Sequence, residues 1–181
     1  MCATIKTKNG YIHYWFDASF DENLSKNISK SQKERECVTE KLQQLNPNAS
    51  IEHEQSGAPI LKNADYPCVS ISHYKGWFGL FFSTSPCGVD IQPYKTNMLK
   101  GKHYFINDKE EELMLSTVNL HLIWAAKEAF FKKLKGEITD LKNEVSIIEI
   151  DDKNKVLTLI YNEKKEKLNF KIESKFIIVW T

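Results

Sequence analysis

The sequence predicts an α+β protein built from two similar halves, each an antiparallel meander packed with a helix, and three observations carry that expectation. Short runs of β-forming residues bounded by turn signals recur along most of the chain. Only two long stretches carry strong helical periodicity, one in each half. Strands follow one another directly in sequence, which favours antiparallel neighbours. With 181 residues the chain can bury one good core or two small, closely packed ones, so one compact unit with halves at 1–94 and 95–181 is expected.

Residues 10–16 (GYIHYWF) read as a strand, and the polar residues 17–29 as a loop. Residues 31–45 form an amphipathic helix, with Val38, Leu42 and Leu45 at intervals of four and three. Ser31 and Glu34 have the spacing of a capping box, and Asn46-Pro47 ends the helix. A turn-rich segment containing Gly57 and Pro59 leads to a half-buried strand at 69–73, where Val69 and Ile71 alternate with Ser70 and Ser72. The apolar run 77–83 and the alternating GVDIQ at 88–92 complete a first meander. A helical segment near 107–115 precedes a second helix at 120–135, which Gly136 is placed to end as the C′ residue. Four β-like runs close the chain, at 145–150, 156–161, 167–173 and 176–180, with a turn at Asp151-Asp152-Lys153-Asn154. No repeat, low-complexity segment or linker interrupts this order.

Charge narrows the function classes. Lys and Arg number 25 against 24 Asp and Glu, a formal net charge of +1, so no global field draws in nucleic acid or an anionic membrane. The four cysteines form no C-x-x-C pair and have no histidine at zinc-ligand spacing, so they read as small thiols of a reducing compartment. No run of apolar residues reads as a signal peptide or a bilayer span, and a cytoplasmic address is expected.

On the second helix, Leu120, Trp124, Phe131 and Leu134 fall on one stripe, with Ile123 and the Lys127 stem beside them, and that stripe is expected to pack inward. Glu128 and Lys132 are four apart at its margin, where an acid and a base can meet a ligand. Taken alone, such a pair is an ordinary surface ion pair contributing about 0.3–0.5 kcal/mol. A lone strand carboxylate such as Asp90 is likewise ordinarily solvated.

Taken together, Gly88-Val89-Asp90 and, 38 positions beyond Asp90, Trp124, Lys127, Glu128, Ala129 and Lys132 in WAAKEAFFK resemble the paired signatures of the 4'-phosphopantetheinyl transferase superfamily. These are G-[VI]-D on a strand and W-x-x-K-E-[AS]-x-x-K on a helix. Ser70-Ile71-Ser72-His73, about 17 residues before Asp90, resembles the [ST]-x-S-H element of the larger, surfactin-synthetase-activating subclass. Gly57-Ala58-Pro59 is similar to its G-K-P turn, and FINDKEE at 105–111 to its F-[ST]-x-x-E segment. The resemblance covers residues 31–136; the first 30 residues and the final strands agree only in general pattern.

The resemblance implies that superfamily's fold of two pseudo-symmetric halves and a holo-[acyl-carrier-protein] synthase activity. The 4'-phosphopantetheine group of coenzyme A would pass to a serine hydroxyl of an apo acyl or peptidyl carrier protein, releasing adenosine 3',5'-bisphosphate. Such carriers serve fatty acid, polyketide or nonribosomal peptide biosynthesis. A hard divalent cation, Mg2+ or in its place Mn2+, would neutralise the pyrophosphate. By the same resemblance Asp90 and Glu128 are its ligands, and Lys132 touches the pyrophosphate or helps deprotonate the serine. Ser72, His73, Gly57 and Pro59 would contact coenzyme A, with Lys33, Arg35 and Lys41 as a cationic rim for its 3'-phosphate. His13, His53, His103 and His121 match nothing in the family and read as structural. Both signatures occur on one chain, so a monomer is expected, with no nucleic-acid or membrane partner.

Two positions depart from the pattern. Gln92 stands where many relatives carry a third acid, and could bind the cation directly through its carbonyl oxygen or through a water. Ala58 replaces the lysine of the G-K-P turn. Two other readings stay open: a catalytically weak homologue that binds coenzyme A or a carrier protein, and a metal-dependent phosphoesterase.

Overall fold

The computed structural model describes residues 2–20 and 28–181, so residues 21–27 of the expected first loop lie outside it. The protein is mixed α+β, with two antiparallel sheets in two compact units, Met1–Cys87 and Gly88–Thr181. Among the described residues no helix is long and apolar enough to cross a membrane. All four cysteines are free.

The first unit holds β1 (Cys2–Lys6), β2 (Gly10–Phe16), α1 (Lys30–Leu45), β3 (Ser50–His53), β4 (Pro59–Lys62), β5 (Cys68–Tyr74) and β6 (Trp77–Ser83). Its sheet runs β1-β2-β6-β5-β4-β3, every pair antiparallel. β6 is buried along its whole length, as its apolar run WFGLFFS demands. Cys37, Val38 and Leu42 of α1 pack on one face of the sheet against Val69, Phe78, Leu80 and Phe82. β1, β3 and β4 were not evident from the sequence. β1 is a short strand at the sheet edge with no buried position, and β3 and β4 are four residues each.

α1 corrects one expectation. Its N-cap is Ser29, whose hydroxyl accepts from Gln32 N at 3.2 Å, and not Ser31. The helix starts before the expected cap, which leaves Glu34 outside any capping box. Its carboxylate turns to the protein side instead.

The second unit holds β7 (Val89–Pro93), 3-10 turns at Met98–Tyr104 and Asp108–Leu113, α2 (Thr117–Lys133), α3 (Leu141–Glu144), β8 (Ser146–Asp151), β9 (Val156–Tyr161), β10 (Lys164–Ile172) and β11 (Phe176–Trp180). The sheet order is β7-β11-β10-β9-β8. β7 therefore does not extend the meander of β5 and β6, as its place in the sequence suggested. It pairs with β11, Asp90 opposite Val179 and Gln92 opposite Ile177, and belongs with the second unit. Alternation in sequence reports that a strand has two faces, but not which neighbour completes its hydrogen-bond ladder.

α2 is buried on more sides than a single stripe allows. Leu120, His121, Leu122, Ile123, Ala125, Ala126, Lys127, Ala129 and Phe130 are all buried, while Trp124, Phe131 and Leu134, expected to lead the inward stripe, are half-buried. The alanines supply the reason, because side chains this short let neighbouring backbone come close on the faces they occupy. At the C-terminus the C′ position falls on Lys135 (φ 52°), and Gly136 (φ 85°) follows. Lys135 N donates to Lys132 O and Gly136 N to Phe131 O, each at 3.1 Å, which completes a Schellman motif.

Candidate functional site

Gly88, Asp90 and Gln92 alternate onto the face of β7 that meets α2. Gly88 marks the closest approach: a Cβ built there would stand 1.7 Å from Ala129 O and 2.9 Å from Lys133 N. Backbone atoms of a helix cannot swing aside, so only glycine fits, and the short Ala129 side chain lies in the same crossing. This contact sets β7 against α2 at the level of Asp90 and Glu128. Gly88→Ala is expected to destabilise the protein by about 3 kcal/mol, the upper end for overpacking. Thermal denaturation followed by circular dichroism checks it, and an unchanged melting temperature would contradict the crossing described here.

Asp90 is buried, and its Oδ1 accepts from Lys132 Nζ at 2.7 Å. The same ammonium donates to Val89 O at 3.1 Å. Lys132 thus reaches across to β7 rather than pairing with Glu128 along its own helix. Glu128 is half-buried, and burial pushes its carboxyl above the ordinary glutamate value. The Asp90 charge adds to that rise, while Lys132 and Lys95 oppose it. Asp90 on β7 therefore lies close enough to Glu128 on α2 for its charge to act on that carboxyl, an arrangement of two acids that a cation could bridge.

Gln92 is buried, and its Nε2 donates to Pro93 O at 3.3 Å. Its carbonyl oxygen has no hydrogen-bond partner among the described residues. Asp90, Glu128 and the Gln92 carbonyl are hard oxygen donors of the kind a Mg2+ ion takes while keeping several waters. Among the described residues no three of His, Cys, Asp and Glu gather at one point.

Behind this edge, Lys127 is fully buried and forms an ion pair with buried Glu110 at 2.9 Å. Its ammonium also donates to Phe105 O at 2.7 Å and Lys142 O at 3.2 Å. Glu110 accepts from Asn107 N at 3.0 Å and, through its other oxygen, from Ile147 N at 2.8 Å. Burial lowers the Lys127 pKa against the pull of Glu110. The pair ties the Asp108–Leu113 turn and β8 to α2, one residue before Glu128. In the sequence Lys127 reads as a stem beside the core stripe and as the first lysine of the helical signature, with no buried partner, and Glu110 does not stand out, although Asn107 and Glu110 carry a capping-box spacing that the structure uses.

His121, which reads as structural in the sequence, is buried two turns before Glu128 on α2. It accepts from Lys95 N at 2.9 Å through Nε2, while Nδ1 lies 2.6 Å from Thr117 O. Its neutral form satisfies both contacts and anchors the segment that follows β7.

The remaining candidates lie in the first unit. Ser72 and His73 are consecutive on β5 and so point to opposite faces: Ser72 is buried, whereas His73 follows Val69 and Ile71 on the α1 face with its side chain 41% exposed. They do not form one contact surface. Gly57 occupies the tip of the β3–β4 hairpin with a positive φ, and Pro59 opens β4. Lys33 pairs with Glu36 at 3.9 Å, and the Lys41 ammonium stands 5.6 Å from the Trp15 ring centre. Arg35 is exposed and about 160° around the helix from Lys33, so these three cations do not make a single rim. An open pocket beside Lys41 also contains Asp17 and Glu40, which gives it mixed charge.

A scan against models of known protein families matched none, and a search of curated proteins returned no match.

Proposed function

We propose that this protein is a Mg2+-dependent 4'-phosphopantetheinyl transferase, acting on coenzyme A and a serine of an apo carrier protein, with the two-half fold of that superfamily and as a monomer. The observation that carries the reading is the convergence of Asp90 on β7 with Glu128 and Lys132 on α2, held by the Gly88–Ala129 crossing. It unites the two sequence signatures, 38 residues apart, at one point of one unit. When bound, the cation would neutralise the pyrophosphate and polarise the phosphorus that the serine attacks. Asp90 and Glu128 would hold it, with the Gln92 carbonyl or a water beyond that carbonyl as a further donor. Lys132, which donates to Asp90 Oδ1, would touch a phosphate oxygen of the pyrophosphate or help take the serine proton.

The test is transfer itself. The purified chain is incubated with coenzyme A, Mg2+ and an apo carrier protein, and the carrier is weighed by mass spectrometry for addition of the arm. An unmodified carrier across acyl and peptidyl types would overturn the proposal. Gln92→Glu supplies the acidic third ligand found in many relatives, and is expected to lower the Mg2+ concentration for half-maximal rate by about tenfold. A requirement that stays equal or rises would mean Gln92 does not face the cation.

A further inference from the structure

We infer that Glu34 and His73 work as a carboxylate–imidazole dyad, in which Glu34 is a positioning residue that presents the His73 ring to a phosphate of coenzyme A. The inference rests on the proposed function for its ligand, and on geometry within the first unit for its parts. His73 stands where the α1-facing side of β5 runs out beyond Val69 and Ile71, and Glu34 lies one turn into α1 on the buried side. Glu34 Oε1 is 3.1 Å from His73 Nδ1. The Glu34 side chain is only 11% exposed, so its charge needs a partner. Lys30 offers a contact at 3.6 Å from an exposed position on the same helix, which contributes little. His73 is therefore the partner that matters.

Ser29 caps α1, and among the described residues no backbone N–H donates to the Glu34 carboxylate. Glu34 fixes both the ring's orientation and which nitrogen carries the proton, because Nδ1–H donates to it. The outward nitrogen, Nε2, has no hydrogen-bond partner among the described residues, and the Phe78 ring flanks the imidazole with centroids 6.3 Å apart. When both nitrogens carry protons, one is donated to Glu34 and the other is directed at an anion. A phosphate oxygen is the anion that the proposed substrate brings.

The experiment is a double-mutant cycle on the Kd for coenzyme A in the full chain, using Glu34→Ala, His73→Ala and the double variant. Nitrogen-15 long-range spectra of the His73 ring are recorded without ligand. Each single change is expected to weaken binding about tenfold, and the double no more than about threefold beyond either, because both remove the same presented group. The ring should carry its proton on Nδ1 in the wild type and shift toward Nε2 in Glu34→Ala. If Glu34→Ala does not fold, Glu34→Gln keeps the shape and one acceptor oxygen, and about threefold weakening is expected. Multiplicative effects, near hundredfold in the double variant, or unchanged affinity in the folded Glu34 variant would overturn the dyad while leaving transferase activity standing. Failure of the wild type itself to bind coenzyme A would instead overturn the functional reading, and the ligand assigned here with it.

Discussion

Asp90→Ala and Glu128→Ala are each expected to lower the rate of phosphopantetheine transfer by about a hundredfold or more, because each deletes a charged ligand from the clamp on the pyrophosphate. Removing one donor of comparable weight from a site of developing charge typically costs that much. The structure adds a distinction between the two. Asp90 also holds Lys132 Nζ at 2.7 Å, so its loss frees that ammonium to keep only Val89 O, and an excess of Mg2+ should not restore activity. Glu128 carries no such bond among the described residues, and its carboxyl is held above the ordinary value by burial and by Asp90. Glu128→Gln should therefore fold normally and fail through the cation alone, with a raised Mg2+ requirement. Steady-state rates over a Mg2+ titration separate these outcomes, and near-normal transfer by both variants would remove the metal assignment.

The largest effect on stability is expected at the buried Lys127–Glu110 pair. Deleting one partner of such a pair leaves an uncompensated charge in the interior, at a cost of about 3–5 kcal/mol. Lys127→Met strands a carboxylate that still accepts from Asn107 N and Ile147 N. Glu110→Leu strands an ammonium whose remaining acceptors are the Phe105 and Lys142 carbonyls, together with two backbone N–H groups. Each is expected to lower the melting temperature by about 10 °C. Combining the two changes should recover only part of the loss, since no apolar side chain can accept from Asn107 and Ile147 N–H. Melting temperatures within a degree or two of wild type for both single variants would contradict the burial of this pair.

The legible part of the protein was what local pattern records. Both long helices and the strands at β2, β5, β6 and β8 to β11 follow from periodicity and turn residues, and lie within a few residues of the expected bounds. The spacing of Asp90, Glu128 and Lys132 was legible because one element type sets each position, a strand face for the first and adjacent helical turns for the other two. Pairing was not legible. β7 alternates as well in either sheet, and only its ladder with β11 assigns it to the second unit. Partners far apart in sequence were also hidden: Glu34 looked like a helix cap and faces His73, and Glu110 looked like one acid among several and sits under Lys127. Short or exposed strands such as β1, β3 and β4 bury too few side chains to print a pattern.

Transfer by the Asp90–Glu128–Lys132 site can be followed through both products of one reaction. The chain, coenzyme A, Mg2+ and an apo carrier protein are combined, and arm-bearing carrier and adenosine 3',5'-bisphosphate are quantified over time. The two are expected in equal amounts, and chelating the metal, or replacing the acceptor serine of the carrier by alanine, should stop both. Bisphosphate released without loading of the carrier would show a hydrolase, and coenzyme A bound with neither product formed would show a binding protein. Either result would contradict transfer as the function of the Asp90–Glu128–Lys132 site.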